Sequence, residues 1–161
     1  MVSKIYVARE TPTVWSDSAG DLVITLNNLA AAAVRIGAQL DLGAGSTAQD
    51  YEWRCTVQFE SAPVVGETVN LFLATSDGTE EDGQMGEADA AGTANALKNC
   101  NFIGAVVVTS TDASHDMTAS GTCRIATRYV SLVVQNATAD NLKATNDTSE
   151  FTLTPIPPEA Q

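Results

Sequence analysis

The chain has 161 residues, of which 44% are apolar and 17% charged, with 20 acidic against 8 basic side chains and a net charge of −12. That length suits one domain able to bury roughly 70% of its extended surface, and the balance of apolar over charged residues argues against disorder. The excess of acid, with five arginines and three lysines scattered along the chain, excludes the basic footprint that nucleic acid or an anionic membrane surface requires.

The opening KIYVARE sets Ile5 and Val7 on one side and Tyr6 and Ala8 on the other, as an edge strand or an arm over residues 1–10 would. MVSKIYVARETP has no long apolar stretch or small-residue cleavage site, so no secretory signal is read there. TPTVWSDSAGD reads as turn chemistry, with Pro12 breaking a ladder and Ser16, Asp17, Ser18 and Gly20 forming a loop that leaves Trp15 open. Leu22 to Leu26 reads as a strand. The alanines at 30–33 favour helix but are too few to stand alone, so they are expected to turn the chain into VRIGAQLDLG, with Val34, Ile36, Ala38, Leu40 and Leu42 inward.

YEWRCTVQFE is the clearest element. Tyr51, Trp53, Cys55, Val57 and Phe59 share one face and Glu52, Arg54, Thr56, Gln58 and Glu60 the other, which predicts a strand with one buried side. TVNLFLAT continues it after a short turn. Residues 76–95 are then rich in acid and glycine and nearly empty of large apolar side chains, the pattern of a long exposed loop. FIGAVVVTS, MTASGTCRIA, TRYVSLVVQN and EFTLTP read as four further strands, the third with Tyr129, Ser131, Val133 and Gln135 opposite Val130, Leu132 and Val134. PIPPEAQ, residues 155–161, is an extended proline-rich tail expected to lie on the surface outside any sheet.

About eight strands and little helix predict an all-β chain: a single antiparallel β-sandwich of Greek-key or jelly-roll type over residues 11–154. No internal repeat is present, and no apolar run, that of Ile103 to Val108 included, is long enough to span a bilayer.

Chemistry is thinly represented. His115 is the single histidine, in the turn DASHD, and no nucleophile motif accompanies it. Cys55, Cys100 and Cys123 lack metal-ligand spacing and read as reduced thiols, so neither zinc nor a disulfide framework is expected. The sequons at Asn136 and Asn146 read as polar turns. Asp77, Glu80, Glu81 and Asp82 form a weak calcium candidate, because an EF-hand register begun at Asp77 puts Asp82 where glycine belongs and Ala88 where the closing glutamate belongs. Of the tryptophans, Trp53 shares the inward face of its strand and reads as core, leaving Trp15 as the better platform for a sugar ring. No catalytic residue and no cofactor is assigned.

Taken together, KIYVARE, YEWRCTVQFESAPVVGETVNLFLATSDGT, RYVSLVVQNATADNL and FTLTPIPPEAQ resemble small virion structural proteins of tailed bacteriophages. The resemblance implies a non-enzymatic β-sandwich made in the host cytoplasm. It would decorate and stabilise the outside of a capsid as a trimer or other cyclic oligomer, with the major capsid protein or other virion proteins as partners. Ile5, Tyr6, Val7, Trp15, Pro155, Ile156 and Pro157 are the expected contact residues, the ends gripping a neighbour by strand addition. A carbohydrate-binding or host-attachment module of a tail or fibre, using Trp15, Tyr6 or the acidic loop with calcium, is the alternative. A small hydrolase or lyase on a sandwich scaffold is the third reading, without a coherent site.

Overall fold

The structure, a computed structural model, describes residues 5–7, 10–43, 50–78, 82–84, 86 and 88–160. Thirteen strands run through them: β1 Ile5–Val7, β2 Thr13–Ser16, β3 Leu22–Val23, β4 Val34–Ile36, β5 Leu40–Asp41, β6 Asp50–Val57, β7 Thr68–Ser76, β8 Ala90–Gly92, β9 Asn101–Val107, β10 Met117–Arg124, β11 Tyr129–Asn136, β12 Glu150–Pro155 and β13 Pro158–Ala160. The only helical turns among them are two short 3₁₀ turns, Asp82–Gln84 and Ala96–Asn99. The chain is therefore all-β, with more strands than the eight the pattern suggested because β2 lies in what read as a turn, β8 in the acidic stretch and β13 in the tail, Ile5–Val7 forms β1, and VRIGAQLDLG is split into β4 and β5.

Two sheets carry the fold. One has the order β10-β6-β12-β2-β3 and the other β8-β4-β11-β7-β9, with β5 also on β11. Every ladder is antiparallel except the two-residue pairing of β2 with β3. Alternation explains the packing. Tyr51, Trp53, Cys55 and Val57 of β6, with Phe59 beyond it, are buried between the sheets, and each large side chain so removed from water contributes about 1.5–3 kcal/mol. Leu71 and Leu73 of β7, Val106 of β9, Val130, Leu132 and Val134 of β11, and Phe151 and Leu153 of β12 meet them there.

β11 is buried on both faces, because the six-stranded sheet is covered outside as well as inside. Val133 joins Val34, Ile36, Ala74 and Leu97 in a second, smaller core, with Phe72, Ala96 and Cys100 at its margin. The expected long exposed loop is corrected in part: many of its described residues are exposed, but it also contains a strand. Ala90–Gly92 pairs with β4, and the 3₁₀ turn that follows lays Leu97 over the sheet. Asp89 anchors this segment by accepting hydrogen bonds from the Arg35 guanidinium and from the Thr25 amide and hydroxyl. Burial pushes its carboxyl up, but those donors more than offset that and hold it below the usual carboxylate range.

Trp15 is a second correction. It lies in β2 with 0% exposure, its Nε1 donating to the Ala38 carbonyl at 2.9 Å and its ring edge-on to Phe151 at 5.9 Å. Only the turn after it behaves as read. There Asp17 accepts from the Leu26, Asn27 and Asp147 amides, and Asp147 accepts from Ser18 and Ala19. Asn136 is fully buried. Its amide donates to the Leu29, Ala30 and Asp140 carbonyls while its oxygen accepts from Thr138, so the first sequon is a structural knot.

The tail is the third correction. Pro155 closes β12, and Pro158–Ala160 pairs antiparallel with Ile5–Val7 in a separate two-stranded ribbon, Val7 opposite Pro158 and Ile5 opposite Ala160. A proline at a strand end or in an edge strand is compatible with a ladder because its missing donor can face away from the partner.

Candidate functional site

A polar surface covers the outer face of the five-stranded sheet. Since β6 turns its apolar residues inward, Glu52, Arg54 and Thr56 must point out, and register sets their neighbours: Thr118 and Glu150 beside Thr56, Ser120 and Thr152 beside Arg54, Thr122 and Thr154 beside Glu52. The result is a grid of hydroxyls with one acid and one guanidinium at its centre. Thr56 and Thr118 hydroxyls lie 3.2 Å apart, and Thr152 donates to the Arg54 carbonyl at 3.4 Å. Glu52, Arg54, Thr152 and Thr154 border an open depression of about 130 Å³. That is below the roughly 300 Å³ at which small-molecule pockets begin, so it suits a hydroxyl-bearing fragment or another protein's side chain better than an enclosed substrate.

A contrasting apolar surface follows β9. Phe102 is 61% exposed and packs edge-on against Phe72 at 5.3 Å, across a bulge in the β7–β9 ladder. At the other end of the strand Val107 is also exposed. Beside it the loop carrying exposed Val64 and Val65 is tied to Val108 through Gly66 and Glu67. Nothing in the apolar run FIGAVVV announced this exposure, because inward and outward residues are both apolar there.

The predicted contact residues separate into two groups. Trp15 is removed from any surface by its burial. Ile5, Tyr6 and Val7 come together with the chain's other end in the β1–β13 ribbon, while Pro155 and Ile156 are half-buried and Pro157 is buried where the tail leaves β12. The Glu10 amide donates to the Pro155 carbonyl and the Ile156 amide to the Asp50 carbonyl, which fixes the root of the ribbon.

Of the calcium candidates, Glu80 and Glu81 lie outside the described residues. Asp82 accepts from the Thr75 amide at 2.9 Å and hydroxyl at 2.6 Å, closing the end of β7, and Asp77 is exposed. Among the described residues no three His, Cys, Asp or Glu side chains converge as a metal set. His115 is exposed in its turn, with its amide donating to the Asp112 carbonyl. The three cysteines are unbridged, and burial pushes the Cys55 thiol up to about 12 and that of Cys123 up to about 11. Both are therefore protonated and poor nucleophiles near neutral pH. No helix among the described residues is long and apolar enough to cross a membrane. No protein-family model and no curated protein matches this chain.

Proposed function

We propose that this chain is a non-enzymatic virion structural protein, a jelly-roll sandwich that binds the outside of a tailed-phage capsid as an oligomer and stabilises it. The observation that carries this reading is strand order. Taking the eight strands β2, β4, β6, β7, β9, β10, β11 and β12, one sheet runs β2-β12-β6-β10 and the other β4-β11-β7-β9. That order is what two Greek keys wound into a jelly roll would give, which supports the architecture used by viral capsid and lectin domains. The remaining short strands are additions at its margins. The terminal ribbon, outside both sheets and only three residue pairs long, would be marginal in water by itself, which supports its use as a docking element on the major capsid protein.

Fold does not fix function. The second reading, a host-attachment module, draws on the hydroxyl grid with Glu52 and Arg54 at its centre. Immunogold labelling of virions separates the two. Label over the heads that is lost when residues 156–161 are deleted supports shell binding through the ribbon. Label confined to tails transfers the weight to attachment, to be followed by glycan-array binding with and without a chelator, and unlabelled particles overturn both.

A further inference from the structure

A sandwich with open sheets has four edges, and an edge with free backbone groups invites another strand unless it is short, charged or covered. Here the edges differ. On one flank the sheets end in β3, two residues, and β8, three residues. On the other they end in β9, seven residues, and β10, eight. β9 and β10 lie side by side, with the Trp53 ring between Gly104 and Gly121, yet no ladder joins them. Each therefore has a single strand partner.

Charge and apolarity point to the same flank. From Asn99 to Thr111 there is no charged residue, and the adjoining loop from Ser61 to Gly66 has none, in a chain of net charge −12. Among the described residues five large apolar side chains are substantially exposed. Phe102 and Val107 lie on β9, Val64 and Val65 on the loop bonded to its end, and Val23 alone lies elsewhere, on β3. Phe102 and Val107 are about 16 Å apart along the strand, so exposed apolar side chains mark both of its ends. In a chain this acidic, copies repel wherever acids face one another, and a long neutral edge with apolar ends meets its own counterpart without juxtaposing like charges.

We propose that the β9 edge, with Phe102, Val107, Val64 and Val65, is the surface on which a second copy of this chain docks. The association needs no shell, so its failure leaves shell binding standing, and the reverse holds equally.

The test is sedimentation velocity of the full chain from about 1 to about 100 µM, comparing the parent with Phe102→Glu, Val107→Glu and, on the opposite flank, Val23→Glu. The parent is expected to associate. Phe102→Glu and Val107→Glu should each raise the dissociation constant about tenfold or more, and Val23→Glu should leave it unchanged. A parent that stays monomeric, or association weakened equally by all three variants or by none, overturns the proposal. Amide exchange on the unaltered chain guards against misfolded variants: β9 amides should be protected more at high concentration than at low, and concentration-independent protection also overturns it.

Discussion

A methyl group at Gly104 should destabilise the sandwich through Trp53 alone. A Cβ built there comes within 2.8 Å of Trp53 Cη2 and closer still to Cζ2, against an optimal carbon separation of about 3.5–4.0 Å. The ring has little room to retreat, because it is 4% exposed, stacks on fully buried Phe151 at 6.3 Å and meets Gly121 on β10. Overpacking of this kind costs about 1–3 kcal/mol, while replacing glycine returns about 0.4–1 kcal/mol through the unfolded chain. A net loss of about 1–2 kcal/mol lowers Tm by about 2–8 °C in a domain of this size. The assay is a double-mutant cycle by urea unfolding with Trp53→Phe, which removes the benzo ring carrying Cη2 and Cζ2. In that background Gly104→Ala should cost less by about 1 kcal/mol. An equal cost in both backgrounds would refute the packing argument.

Other consequences follow from the buried and charged groups. Asn136→Ala removes one donor from each of three carbonyls that keep another, takes the acceptor from the buried Thr138 amide, and should lower stability by about 1–3 kcal/mol, read as a lower urea midpoint at unchanged slope. The Arg128 guanidinium and the Gly43 amide hold the Asp41 carboxyl down to about 2, and donors from Ser18 and Ala19 hold Asp147 well below its ordinary range. Both folded values lie below the unfolded ones, so this stabilisation is complete above about pH 5 and is lost as pH falls toward about 2. Tm should decline across that window and Asp147→Asn should flatten the decline; a level profile for the parent would contradict the assignment. Iodoacetamide at about pH 8 should modify Cys55 only as fast as the chain unfolds, since its thiol is buried and protonated. Rapid alkylation of folded protein would contradict its placement.

What could be read from the chain was whatever local periodicity encodes. All five residues assigned to the inner face of YEWRCTVQFE are buried, and Val130, Leu132 and Val134 of TRYVSLVVQN join the main core while Val133, on the opposite face, joins the second. Long-range hydrogen bonds and packing were invisible. Trp15 sits among residues that form turns in isolation, but its strand is completed by β12, whose Phe151 pairs with it across 136 positions of chain. The segment after Ser76 looked solvated because its acids are local, whereas the groups that bind it down, Arg35 and Thr25 on Asp89, are more than 50 residues away. The prolines of the tail announced an irregular end, yet the pairing of Val7 with Pro158 depends on both termini emerging on the same side of the sandwich. The candidate surfaces were legible only in part: the polar side of β6 was foreseen, but its arrangement into a grid with β10 and β12 depends on register, and the exposure of Phe102 depends on a bulge.

The proposed binding of this sandwich to a phage shell is tested directly by cosedimentation of the purified chain with undecorated capsids over a range of concentrations. Saturable binding at a fixed ratio to the shell subunit, weakened by removal of residues 156–161, is the predicted result. A chain that stays in the supernatant at every concentration would contradict it.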